Sequence, residues 1–300
     1  MVAGDGSTAS GIVPDPVMTA QFPGTSLVRL ALWLLVTLAA IPVQLCCLAL
    51  GPGPARAFPP HYHRVVLRVL GIRVTATGRP PAQGPVLIAA NHMSYLDPDL
   101  LASLMPATFV AKADVAKWPF FGMLAKLQRS VFIERSRKQA AGGQRDVLAE
   151  RLRQGEILVL FPEGTSSDGN RVLPFKSALF GAAETAIDGA PVPVQPVSIA
   201  YVRLNGMPLG RTLRPYVAWY GDMSLLDHLW IFAGLGRIDA VVEYHEPVTI
   251  DAFGSRKALA AHCRQVVARG VETANTGRAP QASPPAALVA PAPTGIAVPA

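Results

Sequence analysis

Charge is scarce in this chain. Only 16% of its residues are Asp, Glu, Lys or Arg, against 50% that are hydrophobic, a balance that leans toward membrane association. Cysteine is scarcer still. Cys46, Cys47 and Cys263 have neither disulfide-like nor ligand-like spacing, which argues for a reducing compartment and against a structural metal. The net charge of +7 and the pI near 9.6 call for an anionic partner. With no long Lys/Arg run and no RNA-binding signature, nucleic acid is weaker in that role than anionic lipid or a phosphorylated substrate. There is no internal repeat, and no Gly-x-Ser-x-Gly elbow of the kind a serine esterase needs.

What is present begins with one long apolar run. Met1 to Thr25 is rich in Gly, Ser, Pro and Ala, and is expected to be disordered. Leu27 to Leu50 follows, interrupted only by Arg29, Thr37, Gln44 and two weakly polar cysteines. It is long enough to cross a hydrocarbon core of about 30 Å. Pro42 and Gln44 leave open a kinked segment that enters one leaflet and returns. Arg56, Arg64, Arg68 and Arg73 lie beyond it, which by positive-inside logic puts the C-terminal side in the cytoplasm. His61 to Leu70 alternates basic and apolar positions at helical spacing and reads as an interfacial helix with arginines toward lipid phosphates.

From Ile72 onward, strands and helices alternate, predicting an α/β domain: a mixed sheet flanked by helices behind an N-terminal membrane-anchoring helix. Strands are expected at Ile72–Thr77, Pro85–Ala90, Thr108–Ala111, Ser130–Glu134, Glu156–Phe161, Val192–Tyr201, Tyr216–Tyr220 and Ala240–His245. Helices are expected at Pro98–Leu104, Phe120–Leu127, Gln139–Gln154, Lys176–Ile187, Leu225–Gly234 and Arg256–Thr273. The organisation is a tail (1–25), an anchor with its interfacial helix (26–70), a catalytic domain (71–275) and a Pro/Ala-rich disordered tail (276–300).

Four stretches at strand ends carry chemistry. In Asn91-His92-Met93-Ser94-Tyr95-Leu96-Asp97, a histidine is followed five positions on by a carboxylate that could hold its ring. On one α-helix the two would point about 140° apart, so they meet only if the chain bends. Asp97-Pro98, a cap residue followed by proline, places that bend before a new helix. Phe132-Ile133-Glu134-Arg135 ends a second strand. Phe161-Pro162-Glu163-Gly164-Thr165-Ser166 ends a third, putting a carboxylate and hydroxyls in a tight turn able to bind a polyol or phosphate. Val192-Pro193-Val194-Gln195-Pro196-Val197 is a proline-spaced strand, expected at an edge or a pocket wall. Each has a plain structural explanation by itself: a capped helix, a charged helix start, a polar turn, an edge strand.

Their order and spacing together resemble the four-block signature of the glycerolipid acyltransferases, over roughly Tyr62 to Ile250. The subgroup resembled most is that of the bacterial 1-acyl-sn-glycerol-3-phosphate acyltransferases. The resemblance implies His92 as general base and Asp97 as its orienter. A lipid hydroxyl would then attack the acyl thioester directly, with acyl-CoA or acyl-carrier protein as co-substrate and no other cofactor. It implies that Arg135, Glu163, Gly164 and Thr165 hold the acceptor's head group, and that the fourth block helps line the acyl-donor channel. Two positions depart from the family pattern. Arg129 stands where glycine is common, three residues before Phe132, and Ser166 stands where arginine is common. Arg129 or Arg171 could restore the missing cation, or the acceptor could lack a phosphate, as lyso-ornithine lipid does. The expectation is therefore an acyltransferase of the inner membrane facing the cytoplasm, with lysophosphatidic acid as acceptor and lyso-ornithine lipid as the alternative. Its rivals are a thioester hydrolase and a non-catalytic lipid-binding protein.

Overall fold

The computed structural model describes residues 23–134, 141–187 and 189–277. Helix α1 (Pro23–Leu50) is built inside out. Its buried residues are the polar Ser26, Thr37 and Gln44, while Leu27, Leu35, Leu38, Leu45 and Leu50 are exposed. A helix packed in water does the reverse. Among the described residues it is the one helix long and apolar enough to cross a membrane. Its polar groups tie it to the protein along its length. Near its start, Arg29 Nη1 donates to Leu235 O at 2.6 Å and Ala233 O at 3.3 Å. Near its end, Gln44 Nε2 donates to Leu127 O at 2.9 Å and Ala55 O at 3.2 Å. These anchor points are about 22 Å apart along the helix, so α1 lies along the domain.

The chain reverses at Gly51 (φ 119°) into α2 (Pro52–Val69). Thr37 faces the Tyr62 hydroxyl at 3.0 Å and Gln44 faces Ala55, so a step of seven up one helix matches a step of seven down the other. The two form an antiparallel hairpin. The helix expected at His61–Leu70 is longer than that and packs one face on the protein. The helix starts at Pro52, with prolines tolerated in its first turn, and its His63, Val66 and Leu67 are buried. Arg64 donates from Nε to Ser103 O at 2.8 Å instead of standing free.

Behind the hairpin is a mixed sheet in the order β1 (Ile72–Gly78), β10 (Ile238–Tyr244), β8 (Val194–Leu204), β2 (Val86–Ala90), β5 (Ile157–Leu160), β3 (Ala107–Lys112) and β4 (Val131–Ile133). Neighbours on this path are parallel except β10 and β8. Strand β9 (Met207–Pro208) pairs with β8, and β6 (Ala186–Ile187) with β7 (Ala190–Pro191). The helices of the domain are α3 (Asp97–Leu104), α4 (Phe121–Leu127), α5 (Ala141–Arg153), α6 (Leu225–Gly234) and α7 (Arg256–Thr276). Strands β2 and β5 are buried at every position, as strands covered on both faces must be.

Three expectations are overturned. The proline-spaced strand is no edge: β8 runs between β2 and β10. His245 N donates to Pro196 O at 3.1 Å, but Pro196 has no N–H to return to His245 O. Gln195 supplies it, its Nε2 donating to His245 O at 2.9 Å and to Arg79 O at 2.8 Å. The segment Tyr216–Tyr220 is not a strand. A 3-10 turn at Arg214–Tyr216 leads into a loop pinned by Trp219 N donating to Met93 O at 2.8 Å. Lys176–Ile187 is a 3-10 helix (Ser177–Glu184) followed by β6. Gly181 in its middle weakens an α-helix there, and Phe180 through Ala183 are all buried, so no polar face sets a 3.6-residue period.

Candidate active site

The site stands at the C-terminal ends of β2 and β5, which are neighbours paired through Ala89 and Leu160. Where β2 ends, Asn91 takes over the pairing with β8. Its Nδ2 donates to Ile199 O at 2.9 Å, and Ile199 N donates to its Oδ1 at 2.8 Å. That clamp sets where the next residue, His92, leaves the sheet. The chain then bends and Asp97 opens α3, with Pro98 in its first turn. The bend brings His92 Nδ1 to 2.8 Å from Asp97 Oδ2.

Asp97 is fully buried, and each oxygen is occupied. Oδ2 also accepts from Met93 N at 2.7 Å and Ser94 N at 2.9 Å, while Oδ1 accepts from the Tyr201 hydroxyl at 3.1 Å. Burial, and then the neighbouring Asp97 charge, push the Tyr201 phenol well above its ordinary value, so it stays a donor. The His92 ring stacks on Phe161 at 4.2 Å, and Phe161 in turn stacks on Phe109. Its Nε2 has no partner among the described residues, and its side chain is 22% exposed. That nitrogen is the one available to a substrate hydroxyl.

The turn after β5 holds the His92 backbone from both sides. Glu163 Oε1 accepts from His92 N at 2.8 Å, and Ser167 N donates to His92 O at 2.9 Å. The other carboxylate oxygen, Oε2, accepts from Leu173 N at 2.9 Å. Glu163 is only 2% exposed, and burial pushes its carboxyl up to about 7 against the pull of its two N–H donors.

His92 opens onto a cavity of about 450 Å³ walled by α1, α2, α4, α6 and the ends of β3 and β5. Gly164, Thr165 and Ser166 line it beside His92, as do Tyr95, Phe161 and Trp219. Farther along the wall are Trp33, Thr37 and Gln44 of α1 and Tyr62 and His63 of α2. A mostly apolar chamber with a base in its wall suits a lipid chain that must present one reactive atom.

The expected residues are thus only partly brought together. His92, Asp97, Gly164, Thr165 and Ser166 converge. Glu163 is next to them but behind the loop, touching backbone rather than cavity. Arg129 is elsewhere: its Nη2 lies 2.7 Å from Glu156 Oε1, on which Arg56 and Arg151 also converge at 3.0 and 2.9 Å. Glu156 precedes β5 and Phe161 follows it, so this cluster is about 16 Å from the turn. Arg171 is exposed. Arg135 falls outside the described residues. The fourth block does not line the cavity; it carries β8, whose Tyr201 holds Asp97.

Sequence does not reveal the Asn91 clamp on Ile199, the reach of Tyr201 to Asp97, or Lys112, which lines the cavity from the end of β3. Alternation along β8 puts Val197, Ile199 and Tyr201 on one face, but not which side of the sheet that face meets. A second histidine–carboxylate pair was also missed. His63 Nδ1 lies 2.8 Å from Asp99 Oδ1 and its Nε2 lies 3.0 Å from Gln128 Oε1, joining α2, α3 and α4 in the cavity wall. Among the described residues, no group of three or more His, Cys, Asp or Glu side chains could hold a metal ion.

The site is thus a histidine held by a buried carboxylate and opening onto an apolar chamber, at the strand ends of a mixed α/β sheet. Residues 71–200 match the family model described as Acyltransferase, and the chain belongs to the lysolipid acyltransferase family. It is 43% identical over 255 residues to a lyso-ornithine lipid O-acyltransferase of Rhizobium meliloti, covering 84% of this chain and 87% of that one. A lyso-ornithine lipid O-acyltransferase of Brucella abortus is 45% identical, over 81% of this chain and 92% of its own. A 1-acyl-sn-glycerol-3-phosphate acyltransferase of Neisseria meningitidis is 32% identical, over 70% and 81%. The crystal structure of the 1-acyl-sn-glycerophosphate acyltransferase PlsC from Thermotoga maritima shares the fold. Its TM-score is 0.53 at 24% identity, covering 75% of this chain and 83% of that one.

Proposed function

We propose that this protein transfers a fatty acyl chain from a thioester, acyl-CoA or acyl-carrier protein, to the hydroxyl of lyso-ornithine lipid. The observation that carries the chemistry is His92, fixed by Asp97 at 2.8 Å, opening onto the apolar cavity. The acceptor rests on the two relatives above that are 43% and 45% identical. Lysophosphatidic acid, the first expectation, is the acceptor named for a relative of lower identity.

In the reaction, His92 Nε2 takes the hydroxyl proton as the oxygen forms its bond to the acyl carbon. The C–S bond breaks as the tetrahedral intermediate collapses, and the thiolate leaves with the proton that His92 carried. Asp97 holds the ring by its Nδ1–H and stabilises the imidazolium between these steps. No acyl-enzyme forms. What the protein supplies is chiefly positioning and a base.

Helix α1 supports the proposed membrane position. Its leucines face outward while both ends are tied to one domain, which suits a helix lying in one leaflet of the inner membrane with the domain in the cytoplasm. Transfer measured on one purified preparation with lyso-ornithine lipid and with lysophosphatidic acid tests the acceptor. Ester formed only from the phosphate acceptor would overturn it. Fatty acid released at the same rate with no acceptor would make the protein a hydrolase.

A further inference from the structure

The acceptor proposed above has a free carboxylate beside its side-chain ammonium, and that carboxylate must be held near a cavity lined by Asp99, His63 and Lys112. Asp99 lines the cavity, Asp97 and Glu163 are buried behind His92, and Thr165 and Ser166 are neutral. A carboxylate there calls for a cation; Arg135, expected in that role, lies outside the described residues, and the choice is among the described ones. Arg129 is held on Glu156 about 16 Å away. Arg214 is committed to Leu209 O and the Asn170 side chain, and Arg264 to Val172 O. Lys112 lines the cavity but is paired with Asp114.

Lys176 is differently placed. Its backbone N–H donates to Pro162 O at 2.9 Å, closing the loop that starts at Phe161. Its side chain lies over Gly164. A methyl group built on residue 164 would come within 2.5 Å of Nζ, 3.0 Å of Cε and 3.2 Å of Cδ. Gly164 is also left-handed, φ +77°, so glycine serves both the turn and the passage of the lysine across it. The residue is exposed and pairs with no acid among the described residues. Its ammonium therefore rests against the turn whose next residues, Thr165 and Ser166, line the cavity beside His92.

We infer that Lys176, reaching across Gly164, binds the acidic group of the acceptor beside the Gly164–Ser166 turn that lines the cavity. This rests on the acyltransferase reading, and it makes Lys176 a determinant of acceptor affinity with no part in proton transfer. The shared chemistry is an anionic oxygen, which a lipid carboxylate or a lipid phosphate could supply.

The test is steady-state transfer by the purified full chain from one palmitoyl thioester. The acceptors are lyso-ornithine lipid, its carboxyl methyl ester and lysophosphatidic acid, each with wild type, Lys176→Gln and Lys176→Arg. A charge-assisted hydrogen bond lost at an exposed position predicts about a tenfold rise in acceptor KM for Lys176→Gln. The change in kcat should be smaller, the KM for the thioester steady, and Lys176→Arg should recover most of the loss. The methyl ester, which has no anionic oxygen, should discriminate little between wild type and Lys176→Gln. A rise confined to lyso-ornithine lipid or to lysophosphatidic acid supports the inference and says which group is bound. Unchanged KM for both acids overturns it, and so does an equal rise for the methyl ester, which a merely structural role would give. Wild type that acylates neither acid lipid overturns the acyltransferase reading itself, and the inference with it.

Discussion

The Glu163 carboxylate accepts from the backbone N–H of His92 at 2.8 Å and does not enter the cavity. The acid of the third block thereby fixes the height at which the base leaves the sheet. On the proposed mechanism it would act through the loop that carries His92, as a positioning residue.

Its titration follows. Folding raises the Glu163 carboxyl from 4.5 to about 7 through burial. The sign is that of a group favoured protonated in the folded state. Its contribution is whole below pH 4.5 and is lost as pH climbs through 7, by up to roughly 3 kcal/mol. The Tm of Glu163→Gln should therefore gain on wild type between pH 4.5 and 8. At pH 8 the variant's kcat should fall several-fold, because an amide offers one acceptor where two N–H groups need partners. A Tm difference that does not change with pH would refute this.

His92→Ala and Asp97→Asn should each lower kcat by about a hundredfold or more while leaving membrane association and Tm of the His92 variant near wild type. Full activity in purified His92→Ala would end the general-base mechanism.

Tyr201→Phe removes one of the four hydrogen bonds on Asp97 and leaves the aromatic volume in place. The loss of a hydrogen bond to a carboxylate predicts about a tenfold drop in kcat. The acceptor KM should hold and the pH–rate profile should move, whereas a Tm change alone would show a purely structural tyrosine.

Arg129 is left-handed, φ 62°, with its guanidinium on buried Glu156. Replacing it with glycine relieves backbone strain of about 1–2 kcal/mol but gives up a charge-assisted bond of about 1.5–3 kcal/mol. Alanine loses the bond and keeps the strain. Thermal unfolding should rank wild type above Arg129→Gly above Arg129→Ala, with acceptor KM unmoved. A large rise in KM would return Arg129 to the head group.

Both ends of α1 are tied to one domain, through Arg29 and Gln44. Single cysteines placed at Gly24 and Gly51, with Cys46 and Cys47 replaced by serine, should react with an impermeant thiol reagent from the same side of a sealed vesicle. Labelling from opposite faces would show a helix that crosses.

Much of this was legible in sequence because it is local. Asp97-Pro98 caps a helix wherever it occurs, so the bend that lets His92 meet Asp97 could be argued from spacing alone. The apolar runs of β2 and β5 mark buried strands, and the leucine-rich run of α1 marks a helix long and apolar enough to cross a membrane. Local chemistry does not say which strand lies beside which. Glu163 reaches the His92 backbone because Ala89 pairs with Leu160, which puts two strand ends side by side from segments 71 residues apart in sequence. Tyr201 reaches Asp97, and Gln195 covers for Pro196, because β8 runs in the middle of the sheet. Arg129 turns to Glu156 because that acid, buried at the other end of β5, attracts the arginines within reach. The sequence by itself determined the meeting of His92 with Asp97 and the long apolar helix, since each depends on neighbours along the chain. Only the tertiary structure decided what each remaining charged side chain touches, since a buried charge takes the partner that packing places beside it.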